Sequence, residues 1–403
     1  MDMGFPESEI KRCLSCPKPR CIMGCPLGND IRDFIFASKN NDLDEAARIL
    51  YAKNPFPEWT SRLCDHDRQC RGNCVLNARK APINVPEIEK AIAANRPFPF
   101  ASKPNNGKSI AIVGSGPAGL SAAAFLALEG CAVDIYEKED SLGGALLTGI
   151  PGYRFDHALL RPAQDRLEKL GVVFHFGFAI GESHPLSSIQ DTHDRVLLCF
   201  GAQKENFAGL GKAPGIVGGL SLLRELNVQS KGNEYASKYH KALVWGGGNV
   251  AMDCARSLIR LLPEVTVVYR RSRKEMPAND SEIEEAIHEG VRFAFLTNVK
   301  ETDVQEDGFH GIQAVKMELG EPDESGRASF HEIPGSEFPI EADLLVLAIG
   351  QKADFSPFGL DRAEQREIAP NLFVAGDAFT GPKNVAAAIA DGRSAAKEIL
   401  ESL

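Results

Sequence analysis

Two stretches of this chain share one pattern. Residues 109–139 (SIAIVGSGPAGLSAAAFLALEGCAVDIYEKE) and 242–272 (ALVWGGGNVAMDCARSLIRLLPEVTVVYRRS) each read as apolar strand, glycine-rich turn, helix and second strand. The second begins about 130 residues after the first, an internal duplication of one supersecondary unit. Strands alternating with helices predict parallel sheets. A third region, ADLLVLAIG followed by NLFVAGDAFTGPKNVAAAIADGRSAAKEIL, adds two strands and a closing helix.

The first turn is G-x-G-x-x-G, spanning Gly114, Gly116, Pro117, Ala118 and Gly119, directly after Ile110–Val113. The first glycine permits the tight turn, the second admits a pyrophosphate, and the third lets helix and strand pack closely. The helix N-terminal N–H groups then face the phosphates. Glu137 follows 23 residues after Gly114, at the end of the next strand, where a carboxylate reaches a ribose 2′-OH. Gly144, in the loop after that strand, is taken with the same site. The bland alternative is a glycine-rich turn in an unrelated α/β domain.

The second turn, Gly246, Gly247, Gly248, Asn249, Val250, Ala251, is the G-x-G-x-x-A variant. The same 23-residue count from Gly246 lands on Tyr269, followed by Arg270, Arg271 and Arg273. No acid holds the ribose position, and guanidinium forks suit a 2′-phosphate. Arg270 and Arg271 therefore favour NADPH over NADH; a solvated basic loop is the alternative. Two dinucleotide units imply two dinucleotides, one flavin and one nicotinamide. In the third region Gly376 and Asp377 stand just past a strand, placed for the ribityl or phosphate side of a flavin. The helix from about Asn384 and Val385 would turn its positive end towards charge on a reduced flavin ring.

Ten cysteines are distributed unevenly. Seven precede residue 75: Cys13, Cys16, Cys21, Cys25, Cys64, Cys70 and Cys74. Cys131, Cys199 and Cys254 stand alone in apolar segments and read as core residues. No apolar run is long enough to span a bilayer, so a cytoplasmic protein without a membrane partner is expected. A reducing compartment argues against a disulfide knot. The net charge of −10 argues against nucleic acid as the main partner. Disulfide reductases of flavin type carry a redox cysteine pair beside the flavin, yet no two cysteines after residue 75 are close in sequence. Electrons on a flavin must therefore leave by another route.

That route points to the N-terminal block, C-x2-C-x4-C-x3-C-P followed by C-x5-C-x3-C. Seven cysteines fit one tetrahedral zinc poorly and leave three spare. Two iron–sulfur clusters need eight ligands. Ferredoxin-type runs end in Cys-Pro, their last cysteine serving the other cluster, which assigns Cys13, Cys16 and Cys21 to one cluster and Cys25 to the second. One ligand is missing, and Asp65, His66, Asp67 and Glu89 are the nearby candidates.

The cysteine spacing, the Gly114–Gly119 turn with Glu137, the Gly246–Ala251 turn with YRRSRKEMPA, and FVAGDA together resemble the glutamate synthase small (beta) subunit family over nearly the whole chain. The same module resembles the N-terminal part of dihydropyrimidine dehydrogenase and the large subunit of NADH-dependent ferredoxin:NADP oxidoreductases. The resemblance implies FAD in the first dinucleotide domain, NADPH in the inserted second, and two 4Fe–4S clusters in a helical N-terminal domain. It implies Cys13, Cys16, Cys21 and Cys74 on one cluster. Cys25, Cys64 and Cys70 go on the other, with Glu89 of APINVPEIEKAI as the eighth ligand. Asp65 stands where the family often has proline.

The expected fold is α/β, with two nested Rossmann-like dinucleotide-binding domains preceded by an α-helical iron–sulfur domain. The expected limits are 1–105 for the helical domain, 106–225 with 335–403 for the FAD domain, and 226–334 for the NADPH domain. The expected function is electron transfer from NADPH through FAD and two clusters to a redox partner protein. The candidate partners are a synthase large subunit, a pyrimidine-reducing subunit and a ferredoxin-like carrier. The chain has neither an N-terminal cysteine nucleophile nor the length for an amidotransferase and an FMN barrel, so the acceptor is expected on another chain. No catalytic acid or base announces itself. A non-redox metal-binding docking module is the alternative of another class.

Overall fold

The structure, a computed structural model, describes residues 5–181, 183–211, 213–322 and 328–403. The chain forms two compact units. One comprises residues 1–146, 153–202 and 353–403, and the other residues 147–152 and 203–352.

The first unit is built on a six-stranded sheet in the order Glu367–Ala369, Leu372–Val374, Arg195–Leu198, Ser109–Val113, Ala132–Tyr136, Val173–His175. All its pairings are parallel except that of the outermost strand with Leu372–Val374. The helix Pro117–Leu128 is apolar on every side because it is covered on every side. It lies against Ser109–Val113 on one face and the closing helix Val385–Glu401 on the other. The two helices approach closely at Gly392, where any Cβ would overlap the Ala118 backbone.

The N-terminal part of this unit is helical, as expected. Ile31–Lys39, Leu43–Tyr51 and Val85–Asn95 bury Ile31, Phe34, Leu50, Ile88 and Ile92 in one cluster with Cys70, against which Cys13, Cys21, Cys25 and Cys74 pack, and the helix Pro57–Leu63 lies against Val85–Asn95. This helical part lies in the same compact unit as the first sheet. The segment after Arg96 reads as a linker but is tied down. Phe98 packs edge-on against Tyr51 at 5.3 Å, and Lys103 N donates to Leu128 O at 2.9 Å. Arg166 fastens the helical part to the sheet. It pairs with Glu58 at 3.0 Å, donates to Pro55 O, and lies 5.3 Å from the Tyr51 ring centre and 5.5 Å from that of Phe98.

The second unit holds a five-stranded parallel sheet, Ile216–Gly218, Leu344–Leu347, Lys241–Trp245, Glu264–Tyr269, Arg292–Phe295. Two of these strands lie outside the expected limits 226–334. Leu344–Leu347, read from sequence with the flavin region, pairs instead with Lys241–Trp245, because four consecutive buried apolar residues need neighbours on both sides. An antiparallel sheet of Thr297–Gln305, Gly308–Pro322, Ala328–Glu332 and Phe338–Glu341, not anticipated from sequence, covers one face. Val299, Phe309 and Ile312 pack there on Leu243, Val268 and Leu345.

Arg166 and Glu58 are each only 12% exposed at the side chain, so removing one leaves the other buried and unpaired. Arg166→Ala should lower stability by about 3 kcal/mol in urea denaturation. A loss below about 0.5 kcal/mol would reduce the clasp to a surface ion pair.

Candidate functional site

Each glycine turn is closed by the same contact. Gly114 has φ +100°, and a Cβ there would come within 2.6 Å of Cys199 O. Gly246, with φ +147°, is pressed in the same way onto Ala348 O. Cys199 and Ala348 directly follow Arg195–Leu198 and Leu344–Leu347, the strands on the far side of each central strand. Both turns therefore stand at the carboxyl edge where strand order reverses, the ligand crevice of open α/β sheets. Gly119 packs on the Gly114 carbonyl, whereas a side chain at Gly116 or Gly248 would meet nothing within 4 Å. No side chain caps the helices Pro117–Leu128 or Asn249–Ile259, which leaves their first N–H groups to an anion. Both cradles fit a pyrophosphate.

Glu137 is 5% exposed and is engaged by its own chain. Its Oε2 accepts from Ser115 N at 2.8 Å and Ser115 Oγ at 2.6 Å, and its Oε1 accepts from Glu139 N at 3.0 Å. The carboxylate thus braces the turn and keeps acceptor capacity, since two oxygens offer about four lone-pair sites. Ser115 is a contributor that sequence reading missed. Gly144 has a packing reason, because a Cβ there would lie 2.9 Å from Gly116 Cα.

In the second unit the segment after Tyr269 folds back over its glycine turn. Tyr269 lies against Gly247, Ala278 N donates to Gly247 O at 3.1 Å, and Asn279 N donates to Asn249 Oδ1 at 2.9 Å. Val250 and Ala251 begin the helix, with Ala251 fully buried. The two arginines are not equivalent. Arg271 is 3% exposed and donates through Nε to Ala328 O at 2.6 Å, whereas Arg270 is exposed, its guanidinium 4.2 Å from the Phe330 ring centre. Phe330 lies on the unanticipated sheet and had no signal in the turn motif.

Gly376 has φ +69° and abuts Ala118, so the third region meets the first turn. Asp377 follows it, its Oδ1 accepting from Lys383 N at 3.2 Å. Burial pushes its carboxyl up to about 6, against the pull of Lys383. Asn384 caps the closing helix, Oδ1 accepting from Ala387 N at 3.0 Å, and Val385 is its first residue.

All ten cysteines are free thiols, and Cys131, Cys199 and Cys254 are buried singly, as read from sequence. The other seven fall into two groups. Cys13, Cys16, Cys21 and Cys74 line one pocket with about 460 Å³ of empty space that is open to solvent. Cys25, Cys64, Cys70 and Glu89 act electrostatically on one another. Burial raises the thiols of Cys13, Cys25, Cys64 and Cys70, and pushes that of Cys21 up to about 11. Glu89 is 7% exposed and burial lifts its carboxyl to about 7, opposed by Asn29 and by Thr60, whose Oγ1 lies 3.5 Å from Oε2. Asp65, His66 and Asp67, the rival candidates, point to other partners: Arg68, Thr60 O and Arg71. Buried thiols that face one another call for a metal, because the thiolate rather than the thiol is the ligand. Among the described residues no three such side chains converge closely enough for a single ion. A 4Fe–4S cluster puts each ligand on its own iron, so it does not require them to.

The comparisons agree with this geometry. The family described as dihydropyrimidine dehydrogenase domain II, 4Fe-4S cluster, matches residues 6–97, and that described as pyridine nucleotide-disulphide oxidoreductase matches residues 108–392. The small chain of glutamate synthase [NADPH] from Azospirillum brasilense is 33% identical over 98% of this chain and 88% of that protein. The chain belongs to the glutamate synthase small-chain family. It is an electron-transfer oxidoreductase, with a 4Fe–4S segment ahead of the pyridine-nucleotide segment. The beta subunit of NADP(+)-dependent formate dehydrogenase from Moorella thermoacetica is 33% identical over 94% of this chain and 59% of that protein. FprA from Mycobacterium tuberculosis, solved in complex with NADPH, superposes with a TM-score of 0.64 over 74% of this chain and 84% of that one, at 20% identity, which speaks to fold. Within the pyridine-nucleotide segment the cysteines are solitary and buried, so the family's fold is present here without a disulphide pair.

The raised carboxyl of Asp377 has a pH consequence. The folded apoprotein holds this proton up to about pH 6, while the unfolded chain releases it near 4. Stability should therefore fall as pH rises from about 4 to about 6 and level off above. Asp377→Asn should remove that component from denaturation curves measured across this range.

Proposed function

We propose that this chain is the electron-input subunit of a larger oxidoreductase, taking hydride from NADPH and delivering single electrons to a partner protein of the synthase large-subunit type. The observation that carries the reading is the sorting of eight side chains into two groups of four within the same compact unit as the first glycine turn. Flavin and clusters, when bound, supply the conversion of a hydride pair into single electrons. The chain's residues supply the holding. Gly114, Gly116, Pro117, Ala118 and Gly119, with Glu137, Gly144, Gly376, Asp377, Asn384 and Val385, would hold FAD. Gly246, Gly248, Asn249, Val250, Ala251 and Arg270 would hold NADPH, Arg271 acting by fixing the loop. Cys13, Cys16, Cys21 and Cys74 would hold one 4Fe–4S cluster, and Cys25, Cys64, Cys70 and Glu89 the other.

The two groups are not interchangeable. Arg393 of the closing helix donates to Leu27 O and Lys53 O, both at 2.8 Å, and interacts with Cys25. Cys70 interacts with Cys21 of the other group. These contacts support an order running from the flavin side through the Glu89 group to the Cys13 group. The cytoplasm, where clustered thiols stay reduced, suits such a site. Among the described residues no helix is long and apolar enough to cross a membrane. The similarity to a formate dehydrogenase subunit supports a second reading, in which the module serves another large subunit.

An anaerobic NADPH titration followed by absorbance and low-temperature EPR should bleach a flavin and, with dithionite where needed, reveal two reduced clusters. Iron analysis should give about eight iron per chain, falling to about four in Glu89→Ala. Zinc in place of iron, or a flavin that neither nicotinamide reduces, would overturn the proposal. Because Arg271 is structural, the nucleotide test uses Arg270→Ala alone. It should raise KM for NADPH about tenfold, in keeping with a lost charge-assisted contact, and leave KM for NADH unchanged. An equal rise for both would remove Arg270 from the 2′-phosphate.

A further inference from the structure

The charge of this chain is unevenly placed. Residues 1–105 carry sixteen Lys and Arg against thirteen Asp and Glu, in a chain whose net charge is −10. The excess concentrates on the cysteine segments. Residues 11–25 hold Lys11, Arg12, Lys18 and Arg20, residues 68–80 hold Arg68, Arg71, Arg79 and Lys80, and neither segment contains an acid. Lys11, Arg12, Arg68 and Arg71 pair with Glu7, Glu9, Asp65 and Asp67. Lys18, Arg20, Arg79 and Lys80 form no ion pair among the described residues, and all four are exposed.

These charges share a place. Arg20 lines the pocket of Cys13, Cys16, Cys21 and Cys74, together with Leu14 and Val75, which are 62% and 37% exposed. Arg79 ends the short helix that Val75 begins, and Arg12 donates to Ala81 O, drawing the two segments together at Arg79 and Lys80. The mouth of this pocket thus has exposed apolar residues and the unpaired Arg20 on its lining, with Lys18 next to the lining residue Pro19 and Arg79 and Lys80 at the end of the helix that Val75 begins, the layout of an interface core and its steering rim. The second cysteine group is more enclosed, Cys70 and Glu89 each being 7% exposed.

We propose that the rim of the Cys13, Cys16, Cys21 and Cys74 group is the docking face for an acidic redox protein, seated on Leu14 and Val75 and steered by Lys18, Arg79 and Lys80. This rests on the reading of that group as the outer cluster site, and it adds the partner's chemistry. Opposite charges raise the encounter rate, and salt screens the effect over a Debye length of about 8 Å at physiological ionic strength.

The test uses the holoprotein, NADPH, and three acceptors: a small acidic ferredoxin, the basic cytochrome c and ferricyanide. The variant is Lys18→Glu with Arg79→Glu and Lys80→Glu. Wild-type reduction of ferredoxin should slow as salt rises and that of cytochrome c should not. The variant should reduce ferredoxin at least tenfold more slowly, with the salt dependence lost, while ferricyanide reduction holds. Ferredoxin binding measured by calorimetry, without turnover, should weaken in parallel. Unchanged ferredoxin rates and binding, or an equal loss with ferricyanide, would overturn the docking face. A wild type that reduces no acceptor would instead sink the electron-input reading, and the salt-dependent binding would still decide the face.

Discussion

Burying a thiolate is the constraint on which the N-terminal third depends. Five of its cysteines have thiols raised by desolvation, and in the Glu89 group a carboxylate adds to the effect on three of them. Four anionic ligands cannot share an apolar pocket without a compensating cation. Bound iron would supply that charge, which would link assembly of such a site to folding of the helices around it. The short helices Glu7–Arg12 and Arg20–Met23 fit this account, since elements of 6 and 4 residues are too short to persist in water on propensity alone.

The dinucleotide half rests on a different constraint, close approach of backbone. At Gly114 and Gly246 the chain leaves a central strand beneath the carbonyl of the residue that ends the neighbouring strand, and no side chain fits between. The repeated contact is stronger evidence of duplication than the letter pattern, because it fixes the same crevice in both sheets. The units differ beyond the turns. The first braces its loop with a buried carboxylate bound to Ser115, while the second closes its loop with a returning segment hydrogen-bonded to Gly247 and Asn249. An acid in one and an exposed arginine in the other follow from what each loop leaves open.

These local features were legible in the sequence because each has a short-range cause. Glycines at fixed offsets, a helix starting near Asn384 and seven cysteines in two runs are read from neighbours in the chain. Long-range partners were not legible. Nothing in ADLLVLAIG tells which of two sheets a buried strand joins, and the choice moved the limits of the inserted unit to 203–352. The unequal roles of Arg270 and Arg271 depend on Phe330 and Ala328, about 60 residues away on a sheet with no motif of its own. Glu89 is intermediate. Spacing left it among four candidates, resemblance singled it out, and the structure gives the physical reason: of the four it alone is buried against the thiols.

The arginine contacts join these halves into one argument. Electron transfer through protein requires donor and acceptor to come close, and contacts between the helical part and the first sheet keep them so. Arg393 binds two backbone carbonyls from the helix that also closes the first dinucleotide cradle. Arg166, on the helix Leu160–Lys169, binds Glu58 and Pro55 O and rests on aromatic rings that also order the strap at Phe98. Guanidinium groups suit this task, since a planar fork satisfies several fixed acceptors at once and stays charged when half-buried. A lysine at either place would keep the charge and lose the geometry. Two side chains that belong to neither thus help tie the cysteine groups to the glycine turn.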